Sequence, residues 1–271
     1  LSLHDALPIL NRIDERFAKV KADGRKALIT FLTVGDPNME VSEKAIYTMQ
    51  EEGVDLIELG VPFSDPAADG PVIQRADERA LAQGVDIFKV FELVRKIRNN
   101  VEVPMVFLLY YNVMVQYGIE KFFKRCQETG VDGLIIPDLP YEESDEIKEY
   151  TEKYGVYQIS LVSPTSKDRI KNIAKDAKGF LYCISSLGVT GEKSSFVTNF
   201  DEFVGTIKKY TDVPACVGFG VSNGRQVKEL TKYFDGAIVG SAIVKSIATG
   251  ESVEERINNL RAKIKDLKSG L

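Results

Sequence analysis

Histidine is almost absent from this 271-residue chain, in which the only histidine is His4. His4 lies in a leader, residues 1–10, that does not resemble the sequence after it. Histidine-based acid, base or metal chemistry would therefore have to rest on a residue outside the apparent fold. We expect carboxylates to carry any proton transfer.

Cysteines and long apolar runs are also scarce. Cys126, Cys183 and Cys216 lie far apart without metal-ligand spacing, which predicts buried thiols in a reducing cytosol and no metal site. No apolar run approaches the roughly 18 residues that a membrane helix requires. Residues 1–10 do not combine a basic region with an apolar core, as a secretion signal does. We expect a cytoplasmic protein that does not enter a membrane.

The chain has no excess of positive charge. Its net charge is −5, which argues against nucleic acid or an anionic membrane as the main partner. An anionic small ligand remains compatible with this charge, because backbone N–H groups bind phosphate locally. The 44% of hydrophobic and 28% of charged residues are typical of a globular protein with a substantial core.

Short apolar runs alternate with longer amphipathic stretches along the chain. Because each run is apolar throughout, we expect parallel strands that are buried on both faces. The predicted strands are 27–34, 54–59, 105–110, 133–136, 156–162, 180–184, 215–218 and 236–239. The predicted helices are 11–20, 38–52, 87–98, 118–128, 143–153, 168–175, 201–209, 223–233 and 252–268.

Eight strands, each followed by helical sequence, predict the fold class. The simplest closed arrangement is a single (β/α)8 TIM barrel over residues 11–271, with an additional N-terminal helix. Residues 1–10 are expected to be an atypical leader. An open, doubly wound sheet is the alternative.

The loop after the second predicted strand contains two acidic residues. Glu58 interrupts an apolar run, so we expect its side chain to point into the barrel near the catalytic rim. Burial there would raise the pKa of its carboxyl group and suit it to acid–base work near neutral pH. A structural glutamate paired with a buried lysine or arginine is the alternative. For Asp69, the alternative is a turn in which the aspartate bonds to nearby backbone.

The loops after the last three predicted strands are rich in glycine. Residues 185–195 are small and polar, so this loop could close over a ligand or could be an ordinary surface connection. Residues 218–222 and 240–242 follow the two strands after which barrels often bind phosphate. Glycine lets backbone N–H groups approach an anion, so we expect a phosphate site there, with tight barrel packing as the alternative.

Residues 58–71 resemble the signature of the tryptophan synthase alpha subunit family, and the match is specific. The similarity extends from about Asn11 to near the C-terminus, so only residues 1–10 fall outside it. It includes residues 31–37, 110–112, 137–140, 188–191, 218–220 and 240–244.

The resemblance implies a lyase that splits indole-3-glycerol phosphate into indole and glyceraldehyde 3-phosphate by a reverse aldol reaction. It assigns Glu58 to the family's acid–base residue and Asp69 to the aspartate that accepts a hydrogen bond from the indole N–H. The residues implied to bind substrate are Phe31, Leu108, Tyr182, Thr190, Gly191, Phe219, Gly220, Gly240 and Ser241. Leu108 could instead belong to the barrel core. Ser186 replaces an arginine found in many relatives, which puts the details of loop closure in doubt.

The resemblance also implies a beta subunit as partner, in an α2β2 heterotetramer of the tryptophan pathway. Pyridoxal phosphate is expected only in that partner, at whose interface residues 62–63 and 185–195 would lie. The alternatives are a stand-alone lyase that releases free indole, a non-catalytic activating subunit, and another phosphosugar barrel enzyme. A Schiff-base aldolase would need a lysine inside the barrel, and no predicted strand contains one.

Overall fold

The computed structural model describes residues 11–165, 167–184, 199–218 and 220–271. All strand pairs in it are parallel, and their order is β5-β4-β3-β2-β1-β9-β8-β7-β6. The strands are β1 Ala27–Thr33, β2 Leu56–Gly60, β3 Met105–Leu108, β4 Gly133–Ile135, β5 Tyr157–Gln158, β6 Ser160–Val162, β7 Leu181–Ile184, β8 Ala215–Gly218 and β9 Gly236–Val239.

The two strands at the ends of this order are parts of one continuous segment. β5 pairs with β4 and β6 pairs with β7, while only Ile159 separates β5 from β6. The predicted strand 156–162 is therefore two short strands, because its first half bonds to one neighbour and its second half to the other. The chain closes the ring at this point, so the eight-stranded barrel is confirmed and the doubly wound sheet is wrong.

Twelve α-helices lie in the described part of the chain, most of them within two or three residues of a predicted helix. They are α1 Arg12–Ala22, α2 Met39–Glu51, α3 Pro71–Ala82, α4 Ile87–Ile97, α5 Tyr111–Tyr117, α6 Ile119–Thr129, α7 Asp145–Tyr154, α8 Lys167–Asp176, α9 Phe200–Lys208, α10 Gly224–Leu230, α11 Ser241–Ala248 and α12 Val253–Lys268. Asn38 and Asn223 cap α2 and α10, because each side chain accepts a hydrogen bond from a backbone N–H of the first turn. None of these helices combines the length and apolarity needed to cross a membrane.

Three of the helices were missed by the sequence pattern. α5 and α11 have only seven and eight residues, too short for a clear 3.6-residue period. α3 begins at Pro71, which is favoured at the first position of a helix. Its apolar face is interrupted by the buried Asp77, which hid the period.

Side chains alternate between the two faces of the sheet. The larger apolar cluster lies between the sheet and the surrounding helices. The smaller one fills the barrel with residues from most of the strands or directly beside them: Ala27, Ile29, Leu56, Val106, Ile135, Ile159, Phe180, Cys216 and Ile238. Alternation therefore fixes which residues at the carboxyl ends of the strands face inward.

Helix α1 closes the barrel at the amino ends of the strands. Its Ile13, Phe17 and Val20 join the inner cluster, and the Phe17 ring lies 5.7 Å from that of Phe180. Arg12 is held outside this plug by an ion pair of 2.7 Å with Asp132. Because this end is filled, space for a substrate remains only at the opposite end.

Removing the largest apolar side chain of this plug should destabilise the barrel. We expect Phe17→Ala to lower the free energy of unfolding by about 3–5 kcal/mol, since it leaves a cavity between α1 and β7. Urea unfolding followed by circular dichroism measures this. Phe88→Ala is the matched control, because Phe88 is 60% exposed and should change the value by less than about 0.5 kcal/mol. Equal losses in the two variants would contradict the role given to α1.

Candidate active site

Glu58 is a buried carboxyl group inside the barrel. It lies on β2 with Leu56, on the same face, and its strand neighbours in register are Phe31 and Val106. Only 1% of its surface is exposed, and in the part of the chain that the structure describes its Oε1 atom has no hydrogen-bond partner. Burial alone raises the pKa of Glu58 to about 8. The side chain is therefore an uncharged acid at neutral pH, poised to give up a proton.

The expected alternative for Glu58 does not hold. A structural glutamate would be paired with a buried lysine or arginine, yet within the described residues no ion pair includes Glu58. A buried acid without a partner costs free energy of folding, which is common where a residue is kept for chemistry.

Asp69 is held at the mouth of the barrel by Tyr110. The phenol of Tyr110 donates to Asp69 Oδ2 at 2.7 Å and accepts from the N–H of Ala68 at 2.9 Å. Burial raises the pKa of Asp69, and the hydrogen bond from Tyr110 opposes that rise. A turn is present, since the Asp69 N–H bonds to the carbonyl of Pro66, but the carboxylate is directed at Tyr110 rather than at local backbone.

The phenol of Tyr182 is affected by the charges of both acids. It lies on β7, in register with Leu161 and Cys216 of the inner cluster, and is partly exposed at the mouth. Burial raises the pKa of its phenol, and the charges of Glu58 and Asp69 each raise it further. Both carboxyl groups therefore act electrostatically on one phenol, and all three side chains belong to the half of the barrel at the carboxyl ends of the strands.

Two glycines make room for the aromatic rings that line this space. A Cβ atom on Gly60 would stand 2.5 Å from the Cζ atom of Phe31, and one on Gly218 would stand 2.6 Å from the Tyr182 hydroxyl. Neither distance is tolerated, so each ring lies across a glycine of a nearby strand. Glycine at an inward-facing strand position was the signal for these contacts, and the sequence analysis did not use it.

An apolar wall lies beside Glu58. Phe31 is buried against Ala76 and Val244, from α3 and α11, and the partly buried Leu108 packs on the same group. Leu108 also packs on the inner cluster, so it belongs both to the barrel core and to the wall. The wall therefore offers an apolar surface directly beside the Glu58 carboxyl group, since Phe31 and Glu58 are neighbours in register.

The expected phosphate residues lie at the ends of β8 and β9, which are neighbours in the sheet. Gly240 is the residue before α11 and Ser241 is its first residue, so the free N–H groups of that helix point towards the mouth. A Cβ atom on Gly240 would make only ordinary van der Waals contacts, the nearest with Phe31 at 3.7 Å, so tight packing does not require glycine there. Gly220 has a positive φ of 76°, which favours glycine. Thr190, Gly191, Phe219 and Ser186 lie outside the described residues.

Comparison with known proteins places the chain in a family. The family model described as tryptophan synthase alpha chain matches residues 17–271. The chain belongs to that family. It is 47% identical over 262 residues to the tryptophan synthase alpha chain of Thermoanaerobacter sp. (strain X514), covering 97% of this chain and 100% of the relative.

Solved structures of the family have the same fold. The tryptophan synthase alpha chain of Legionella pneumophila superposes with a TM-score of 0.84 at 33% identity, over 96% of this chain and 98% of that one. A chain of tryptophan synthase from M. tuberculosis gives a TM-score of 0.85 at 33% identity, over the same shares of the two chains. The fold prediction and the resemblance in the sequence are both confirmed.

The unpartnered Glu58 should make the stability of this alpha chain depend on pH. The pKa of Glu58 is higher in the folded state than in the unfolded state, so the protonated side chain stabilises the fold fully below pH 4.5. This contribution to the free energy of unfolding is lost as the pH rises through about 8. Glu58→Gln stays neutral. We therefore expect the wild type to lose roughly 2–5 kcal/mol more than the variant between pH 5 and pH 9.

Urea unfolding at several pH values measures this difference. Glu92→Gln, on the exposed surface of α4, is the control and should follow the wild type. Identical pH dependence of wild type and Glu58→Gln would mean that Glu58 has an ordinary pKa.

Proposed function

We propose that Glu58 and Asp69 carry out the alpha reaction of this lyase family in this chain, the cleavage of indole-3-glycerol phosphate. The observation that carries the proposal is a buried Glu58 whose Oε1 atom has no partner among the described residues and whose charge, like that of Asp69, acts on the Tyr182 phenol. The indole ring would lie between Phe31 and Leu108 on one side and the carboxyl groups on the other. The amides of Gly220, Gly240 and Ser241 would hold the phosphate.

In this mechanism Glu58 transfers two protons. As the acid, it protonates C3 of the indole ring, and the ring nitrogen takes up positive charge. The Glu58 carboxylate then removes the proton of the side-chain hydroxyl next to the ring. The oxygen forms the aldehyde of glyceraldehyde 3-phosphate, the carbon–carbon bond breaks, and its electron pair restores the aromatic indole. Glu58 ends the cycle protonated, as it began.

Asp69 would accept the hydrogen bond from the indole N–H. A negative charge at this position stabilises the positive charge that develops on the ring when C3 is protonated. Tyr110 keeps one oxygen of Asp69 in place at 2.7 Å and leaves the other for the substrate. A reaction of this kind needs two carboxyl groups and no cofactor in this chain, so pyridoxal phosphate would be bound by the beta subunit alone.

The remaining alternatives have little support. A Schiff-base aldolase needs an inward-facing lysine, and none of the nine strands in the described residues contains one. A non-catalytic activator has no physical reason to keep an unpartnered acid in its core. A stand-alone lyase and a subunit of a complex differ in whether a beta subunit changes the activity of the chain.

Neutral isosteres test the two acids. We expect Glu58→Gln to lower kcat by at least about a thousandfold with little change in the Kd of an indole-propyl phosphate analogue, because the amide cannot donate the proton. Asp69→Asn should lower kcat by about a hundredfold or more, having lost the charge beside the ring nitrogen. Indole release measures both, and Glu92→Gln is the control. Activity of Glu58→Gln within tenfold of wild type would rule out its role.

We further propose that a beta subunit binds over the mouth of the barrel, in an α2β2 complex in the cytoplasm. Phe63 is half-buried and stacks on Tyr110 with ring centroids 5.0 Å apart. A groove beside Phe63 also includes Pro62 and Phe88, and the Phe88 side chain is 60% exposed. Exposed aromatic residues around a groove are typical of protein interfaces.

Addition of the beta subunit should activate indole release. We expect an increase of roughly 5- to 150-fold, the range of ordinary coupling free energies. Phe88→Asp should weaken this activation without changing the activity of the isolated chain. Tyr210→Asp, at an exposed aromatic residue outside this groove, is the matched control and should be activated normally. Full activity without any effect of the beta subunit would favour the stand-alone lyase.

A further inference from the structure

Asp77 is another buried carboxyl group, on the helix that follows Asp69 in the chain. Asp77 is on the inner face of α3, and only 5% of its surface is exposed. Among the described residues, its one hydrogen bond comes from the Thr33 hydroxyl at 3.4 Å, the long end of the range. An aspartate with so little support cannot ionise without a large desolvation cost.

The charged groups that act on Asp77 are mainly acidic. Burial raises the pKa of Asp77 most, and the charges of Asp69, Asp36 and Glu78 raise it further. Asp69 lies in the loop before α3, Asp36 in the loop after β1 and Glu78 on α3 itself. Arg79 on the same helix is already engaged by both oxygens of Asp36, at 2.7 and 2.9 Å. Within the described residues Arg79 makes no ion pair with Asp77, so Asp77 has no counter-ion there.

Asp69 is the better supported of the two neighbouring acids as an anion. The Tyr110 phenol, whose pKa the charge of Asp77 also raises, donates to Asp69 at 2.7 Å, and part of the Asp69 side chain meets water. Asp77 has neither a short hydrogen bond nor water. When two carboxyl groups are close, they ionise one after the other, and the better supported one ionises first.

We propose that Asp77 is a proton-holding residue that serves Asp69. At neutral pH the two carboxyl groups carry one proton between them, the proton is on Asp77, and Asp69 is the anion.

This role rests on the function proposed for Asp69. An ionised Asp77 would place a second negative charge beside Asp69 and would favour protonation of Asp69, which removes the charge that the indole N–H needs. Burial and the Asp69 charge raise the pKa of Asp77 to about 8. Asp77 therefore stays neutral over the range in which Asp69 must be ionised, and it positions the charge without touching the substrate.

Titration of the ligand-free chain with 13C-labelled aspartate side chains tests the proposal. We expect one aspartate resonance that titrates near pH 8 and is absent in Asp77→Asn. Asp69→Asn should lower the midpoint of that resonance by about one pH unit or more, because a like charge is removed. Glu78→Gln removes an exposed charge from the same helix and should cause a clearly smaller shift. Because the Asp69→Asn variant retains Asp77, its shift tests the coupling between the two carboxyl groups whether or not Asp77→Asn folds.

The acid side of the pH profile of kcat/KM provides the second readout. If the proton is on Asp77, the substitution Asp77→Asn replaces one neutral group by another. The Asp69 ionisation on the acid side of the profile then occurs at the same pH as in the wild type. A move to lower pH would show that Asp77 is an anion and overturn the proposal, as would a resonance unaffected by Asp69→Asn. Full activity of Asp69→Asn would instead contradict the function of Asp69 and leave the titration of Asp77 standing.

Discussion

The structure depends on one unfavourable placement, a glutamate side chain inside an apolar barrel without a counter-ion. Burial raises the pKa of Glu58 to about 8, so the protein contains an acid that is neutral where most carboxyl groups are ionised. The surrounding barrel must stabilise this group without neutralising its chemistry. The parallel strands do so through backbone hydrogen bonds and apolar packing, neither of which involves the carboxyl group.

Much of the fold was readable from the sequence because parallel strands buried on both faces are continuous apolar runs. Glu58 was identified by the same logic, as one acidic residue within such a run. The limits were also physical. Strand 156–162 divides between two neighbours, which no local pattern encodes, and α5 and α11 are too short to show a period.

The site was predicted less completely than the fold, because its supporting residues are distant in sequence. Tyr110 reaches Asp69 across 41 positions and Thr33 reaches Asp77 across 44. No spacing rule connects such pairs, since only the closed sheet brings the strand ends together. The glycines opposite Phe31 and Tyr182 are of the same kind, because their purpose becomes clear only when the ring on a nearby strand is seen.

The plug formed by α1 determines the path by which small molecules can enter and leave the barrel. With Phe17 and its neighbours filling one end of the barrel, the opening that the described residues leave is at the carboxyl ends of the strands. A molecule that binds inside the barrel must then enter and leave by the same path, past the loops at the carboxyl ends of the strands. A protein bound over that opening would lie on the exit path of a product, so the closed end of the barrel would favour transfer of the product to that protein.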